Sequence, residues 1–272
     1  MHVFYAQGGG LGHLTRVDTL IKTLDIPKRE VIIITPSVFT NYFKGYQFVR
    51  LRWDEHHYDW AKTIVHTLKK YPVTRFYVDT FPFGLKGELN LVYSTFPKLT
   101  YIYISRVLKW DFYTSTVTQK ASIIFYNTLL LEPLYDAHLN WITSHSTSVT
   151  PITLKRESLT PICYMKSAYV LVVHSGGKDD VLKICKQAIE DYKTQNSIKI
   201  VVFTQVHVHI ENDNVVVKND VYPVSQYFEN AIKIYTAGGF NSMHELKNYK
   251  EKHVAVALNK LYDDQEFRIL NL

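Results

Sequence analysis

One short grammar occurs twice in this chain and limits what it can fold into: an apolar strand, a glycine turn, then an amphipathic helix. Residues 2–6 are apolar and run into the glycines of 8–12, after which residues 14–24 carry Leu14, Val17, Leu20, Ile21 and Leu24 at helical spacing. The pattern restarts at 169–174, which ends in Ser175, Gly176 and Gly177 and leads into a helical stretch over 179–192. Further strands read at 31–35, 48–51, 75–78 (ending in Asp79) and 99–105, with an amphipathic helix at 60–70. The second half adds strands at 198–204, 214–218 and 232–236. Strands alternating with helices make βαβ units and parallel sheets, so the expected class is α/β. The polar, proline-bearing stretch 150–166 reads as the linker between two halves, 1–155 and 156–272.

A chain of 272 residues, 46% hydrophobic and 21% charged, has the composition of a globular protein and not of a disordered or repetitive one. Its longest apolar runs are strand-length, far below the ~18 residues of a membrane helix. Residues 2–6 meet glycines at once, which argues against a secretory leader. Cys163 and Cys185 form no C-x-x-C pair, so the expectation is a reduced, cytosolic chain without a disulfide framework. Of the net charge of +6, the first 150 residues carry +5. That asymmetry fits either an ordinary solvated surface or an anionic partner: a phosphorylated metabolite, a membrane surface or nucleic acid.

The glycine turns narrow the chemistry. Gly8-Gly9-Gly10-Leu11-Gly12-His13 joins a strand to a helix, where bare backbone amides and the helix terminus favour an anion; Gly10 and Gly12 are the candidate contacts. A dinucleotide fingerprint needs a third glycine where His13 stands and an acid where the second strand ends in Thr35-Pro36-Ser37, and no P-loop sequence occurs. His13 is the one residue of the turn that titrates near neutrality, and at a helix N-terminus it would stay neutral, as a general base must. Ser175-Gly176-Gly177 with Lys178 reads as a phosphate cradle. In the third turn Gly238 and Gly239 clear the backbone, Asn241 and Ser242 offer hydrogen-bond donors, and Glu245 would accept ribose hydroxyls. A capping box accounts equally well for Ser242 with Glu245.

Other residues carry weaker signals. Asp79 at a strand end would polarise His13, line a substrate cleft or only turn the chain. Arg106 would meet an anionic acceptor or make an ion pair. His207 and His209 would share one face of a strand, without a third metal ligand nearby. His56 and His57 read as part of a solvated loop. The acid pairs Asp179-Asp180 and Asp263-Asp264 do not form D-x-D, so no metal is expected.

The run Gly239-Phe240-Asn241-Ser242-x-x-Glu245, followed by Asp264-Gln265, resembles the sugar-donor signature of two-domain nucleotide-sugar glycosyltransferases of the GT-B type. The opening turn is similar to that of the branch containing the lipid-linked N-acetylglucosaminyltransferases of peptidoglycan synthesis and a short nucleotide-sugar hydrolase. The resemblance implies two Rossmann-like domains facing across a cleft, with 1–155 on the acceptor side and 156–272 binding the nucleotide sugar. It implies that Asn241 and Ser242 hold the diphosphate, Glu245 the ribose, Asp264 and Gln265 the sugar, and that His13 is the base. The implied activity is inverting, metal-independent transfer from a nucleoside-diphosphate sugar, UDP-linked first, to an acceptor hydroxyl, with no cofactor beyond that co-substrate. The acceptor stays open as anionic, lipid-linked or nucleic acid, and attachment at the inner membrane surface stays open with it. Hydrolysis by a His13-activated water, transfer to modified DNA bases and a non-catalytic binding module are the alternatives.

Overall fold

Strands covered on both faces need apolar side chains at every position, and the centres of both sheets are built from such runs. The computed structural model describes residues 1–117 and 119–271. Met1–Lys155 with Leu261–Asp263 forms one compact unit; Arg156–Lys260 with the residues from Asp264 on forms another.

The first unit holds β1 (His2–Tyr5), β2 (Val31–Thr35), β3 (Gln47–Arg50), β4 (Arg75–Asp79), β5 (Thr100–Ser105), β6 (Asn127–Leu130) and β7 (Val149–Pro151). They form a seven-stranded sheet in the order β3-β2-β1-β4-β5-β6-β7, parallel throughout. Its helices are α1 (Leu11–Thr23), α2 (His57–Lys70), α3 (Leu89–Thr95), α4 (Trp110–Thr116) and α5 (Asp136–Ser144). Alternate residues Val3, Tyr5, Ile32, Ile34, Phe76, Val78, Tyr101 and Tyr103 pack with Trp60 and Ile64 of α2 and Leu89 and Val92 of α3. The chain runs outward from β1 to β3, then returns to place β4 on the other side of β1. The loops leaving β1 and β4 therefore start side by side, at the switch point where open α/β sheets bind ligands.

The second unit repeats the plan with β8 (Tyr169–Val173), β9 (Lys199–Thr204), β10 (Val215–Asn219), β11 (Lys233–Ala237) and β12 (His253–Val256), a parallel five-stranded sheet in the order β10-β9-β8-β11-β12. Its helices are α6 (Lys178–Asp191), α7 (Phe240–Glu245) and α8 (Gln265–Asn271). Val170, Val172, Ile200 and Val202 pack with Val181, Ile184 and Ala188 of α6, whereas Leu171, Val201, Phe203 and Ile234 pack with Phe228 and Leu246. Here the switch point falls between β8 and β11.

The structure corrects the sequence reading in several places. The stretch 150–166 is not all linker, because Val149–Pro151 is a strand with Val149 opposite Thr128. His56 and His57 are not in a loop: the His56 ring nitrogen Nδ1 accepts from the Tyr58 amide at 3.3 Å and caps α2, which begins at His57. Apolar periodicity starts only at Trp60, so the pattern misses that first turn. His207 and His209 lie in irregular chain between β9 and β10, and the shared strand face disappears. Among the described residues no cluster of three or more His, Cys, Asp or Glu is placed to hold a metal, and no helix is long and apolar enough to cross a membrane.

Candidate functional site

In the first unit the site grows from the ends of β1 and β4. Gly10 is the N-cap of α1 and makes no side-chain cap, so His13 sits in the helix's first turn. The ring of His13 lies where a Cβ on Gly8 would be, with Cδ2 2.0 Å from that point, and the Trp53 indole closes on Gly9 in the same way, at 2.6 Å. Gly8 and Gly9 are thus the glycines that packing requires. Gly10 has open space beside it, and Gly12 lies within α1.

His13 Nδ1 is 2.6 Å from Asp79 Oδ2. The Asp79 carboxylate only accepts, so Nδ1 carries the proton and Nε2 the lone pair; Nε2 has no hydrogen bond among the described residues. Arg16, one helical turn beyond His13, donates from Nε to Asp79 Oδ1 and from Nη2 to Oδ2, both at 2.7 Å. Its Nη2 also lies 3.0 Å from His13 Nδ1. Burial, and then the neighbouring Arg16 cation, bring the His13 pKa down from 6.5 to about 4 against the pull of Asp79. Burial by itself would raise the Asp79 carboxyl, but Arg16 and His13 overcome it and hold the group well below the usual carboxylate range. His13 is therefore a neutral imidazole at pH 7, kept so by burial and a cation and not only by a helix terminus.

Thr80 follows Asp79 with φ of +74°, a left-handed conformation that a β-branched residue rarely adopts. Its surroundings determine that strain: the amide donates to the Ile104 carbonyl at 2.9 Å, and the Tyr103 hydroxyl donates to the Thr80 carbonyl at 2.8 Å. Thr80 Oγ1 accepts from Arg16 Nη2 at 2.8 Å and from Arg106 Nε at 3.1 Å. Arg106 is buried and its Nη1 pairs with Asp263, in the segment that joins this unit. At the exits of β2 and β3 a cavity of about 450 Å³ is lined by Pro36, Val38, Arg50, Leu51, Arg52 and Trp53.

In the second unit the switch point brings two glycine turns together. After β8, Gly177 caps α6, and a Cβ at Gly176 would meet His174 Nε2 at 2.4 Å. Asp180, in the first turn of α6, pairs with Lys260 and lies 3.5 Å from His174 Nε2. The nearby His174 ring, with Lys260, lowers the Asp180 pKa to about 2 against partial burial. After β11, Gly239 caps α7, placing Asn241 and Ser242 in its first turn and Glu245 at its end. The cap is at Gly239 and not Ser242, so the capping box is not formed. Instead Glu245 Oε1 accepts from Arg156 Nη1 at 2.5 Å.

Gly238 is needed for close approach by α8, since a Cβ there would lie 2.6 Å from Ile269. Gln265 is buried and its Oε1 accepts from the Leu258 amide at 3.0 Å, while Asp264 Oδ1 accepts from the Phe267 amide at 3.0 Å. These two residues thus take part in anchoring and capping α8. Sequence reading missed Arg16, although a cation one helical turn from His13 was a usable signal. It also missed Arg156, for which no local signal exists.

Two parallel sheets, each with glycine turns at its switch point, define a pair of Rossmann-like units, and that pairing is the GT-B glycosyltransferase fold. No protein-family model and no curated protein sequence matches the chain. Solved structures do. The glycosyltransferase of kitacinnamycin superposes with a TM-score of 0.65 at 15% identity, over 99% of this chain and 83% of its own. WaaG, a glycosyltransferase involved in lipopolysaccharide biosynthesis, gives 0.56 at 11% identity over 100% and 89%. The spinosyn rhamnosyltransferase SpnG gives 0.59 at 11% identity over 95% and 81%. At these identities the likeness is one of fold.

Proposed function

We propose that the chain is a glycosyltransferase that moves a sugar from a nucleoside-diphosphate sugar, with UDP the first candidate, to an acceptor hydroxyl. The observation that carries this reading is the neutral His13 held by Asp79 at the β1/β4 switch point, on a glycosyltransferase fold. In the proposed reaction Nε2 takes the acceptor's proton while its oxygen attacks the anomeric carbon. The bond from that carbon to the diphosphate breaks on the opposite face, so the configuration inverts. Asp79 stabilises the imidazolium as it forms, and positioned base catalysis of this kind contributes roughly 10²–10⁴-fold. The sugar-donor residues are Glu245 for the ribose, and Asn241 and Ser242 for the diphosphate, whose charge meets backbone amides without a metal.

Arg106 is already paired with Asp263, so the acceptor's contact is assigned to the cavity beside Gly9, where the half-exposed Trp53 face and exposed Arg50 suit an apolar body bearing an anionic group. Incubation with labelled UDP-sugars, with and without a lysate as the source of acceptor, tests the proposal. Label transferred to an acceptor only when lysate is present supports it. Free sugar released equally without acceptor would mean hydrolysis, and binding without consumption would mean a non-catalytic module.

A further inference from the structure

Arg156 stands at the start of the second unit and reaches α7 across 89 positions of sequence. Its Nη1 donates to Glu245 Oε1, and its Nη2 donates to Asn241 Oδ1 at 3.4 Å. The side chains of Arg156 and Glu245 are 23% and 16% exposed, so the pair is sheltered but open to a ligand. We propose that Arg156 is a positioning residue of the nucleotide site: it holds Glu245 ready to accept ribose hydroxyls and turns Asn241 so that its amide nitrogen meets the diphosphate. The proposal rests on the reading of Glu245 and Asn241 as sugar-donor residues.

Two chemical facts support it. An ionised carboxylate has about four acceptor sites, and the guanidinium uses one of them, leaving Oε2 and part of Oε1 for hydroxyl donors. A side-chain amide has an acceptor end and a donor end. With Oδ1 of Asn241 turned to Arg156, its two N–H bonds point the other way, in the sense an anion needs. Burial pushes the Glu245 carboxyl up, and Arg156 opposes that rise, so the arginine also maintains the charge that makes Glu245 an acceptor.

Two rival roles give different signs. If the arginine only plugged the ribose site, its removal would tighten nucleotide binding. If it touched the phosphates directly or merely strapped the segment down, its removal would affect every nucleotide alike.

Calorimetric titration with UDP, ADP and GDP and with their 2′,3′-dideoxy counterparts separates these roles. The proteins are the unaltered chain, Arg156→Ala, Arg156→Lys, Glu245→Ala and the Arg156→Ala/Glu245→Ala double variant. The expected result is a loss of about tenfold or more for the ribonucleotide in Arg156→Ala, as for a charge-assisted hydrogen bond, and a clearly smaller loss for the dideoxynucleotide, which keeps only the Asn241 contribution. The difference between the two nucleotides should vanish on the Glu245→Ala background, and Arg156→Lys should recover part of the loss. Arg156→Lys keeps the charge, so it serves as the informative variant if Arg156→Ala does not fold. Equal losses for both nucleotides, or tighter binding, overturn the positioning role alone. If the unaltered chain binds none of the three diphosphates, or Glu245→Ala leaves ribonucleotide binding unchanged, the sugar-donor reading itself fails and takes this inference with it.

Discussion

His13 Nδ1 and Asp79 Oδ2 lie 2.6 Å apart although 66 positions separate them, because β1 and β4 are neighbours where the strand order of the first sheet reverses. Arg16 closes the group from the next turn of α1, so one buried carboxylate is shared by an imidazole and a guanidinium. That sharing fixes the tautomer and leaves the lone pair on Nε2, while burial and the Arg16 cation keep the ring uncharged against the pull of Asp79.

His13→Ala is expected to lower turnover by roughly 10²–10⁴-fold while leaving nucleotide affinity near that of the unaltered chain. Steady-state kinetics beside calorimetric titration with UDP checks both halves. Near-native turnover with lost affinity would make His13 a phosphate ligand and remove the base from the mechanism.

The acidic limb of the kcat/KM profile should fall near pH 4, where His13 protonates, and not near 6.5. Arg16→Gln removes the cation that depresses the ring, so the limb should move upward in pH. Breaking the buried Arg16–Asp79 pair should also cost about 3–5 kcal/mol of stability. An unmoved limb in Arg16→Gln would show that Arg16 does not tune the base.

Gly8→Ala places a methyl group 2.0 Å from His13 Cδ2 and must displace the ring. Turnover should drop almost as far as in His13→Ala, at an overpacking cost of about 1–3 kcal/mol in stability. Because both substitutions act through one side chain, the double variant should be little slower than His13→Ala alone. Additive rate losses would mean that Gly8 serves some other function.

At Thr80 the backbone and the hydroxyl pull in opposite directions. Thr80→Gly releases strain of ~1–3 kcal/mol but gives up the acceptor used by Arg16 and Arg106. Thr80→Val keeps the strain and loses the acceptor, taking a hydrogen bond from each of the buried Arg16 and Arg106 side chains at about 1–3 kcal/mol each. Urea denaturation should therefore rank the unaltered chain and the glycine variant close together and valine clearly last. The reverse order of glycine and valine would contradict the strain argument.

Acid should weaken the fold earlier than carboxylate protonation alone would. Burial lowers the pKa of His138 to about 3, and that of His253 to about 4; His13 reaches about 4 with the help of Arg16. Unfolded, all three would titrate near 6.5, so the unfolded chain binds more protons between pH 6.5 and about 3. Their stabilisation is complete above pH 6.5 and is lost as pH falls through that window, by about 1.4 kcal/mol per unit of depression for the buried His13 and His138 and by less for the more exposed His253, which water screens. Melting temperature measured between pH 7.5 and 4.5 should decline steadily. His138→Phe, which retains an aromatic ring against Trp110, should flatten part of the slope. A flat profile in the unaltered chain would show that these rings do not titrate on unfolding.

The sequence by itself determined the local pieces. Short, β-branched apolar runs bounded by glycine turns read as strands of a covered parallel sheet, so β1, β2, β8, β9 and β11 and the loops at Gly8 and Gly238 were legible without coordinates. Short elements were not: α3, α4, β7 and β12 span too few residues for a period to show, and their neighbours in space define them. The pairings at the site were decided by the tertiary structure alone. Asp79 could be read as a mere turn until β4 was set beside β1, and Ser242 with Glu245 fitted a capping box until Gly239 proved to be the cap and Arg156 the partner of Glu245. The physical reason is that a strand or turn depends on residues within a few positions of one another. A buried charge depends on whichever opposite charge the topology brings within hydrogen-bond reach, and no spacing in the chain encodes that.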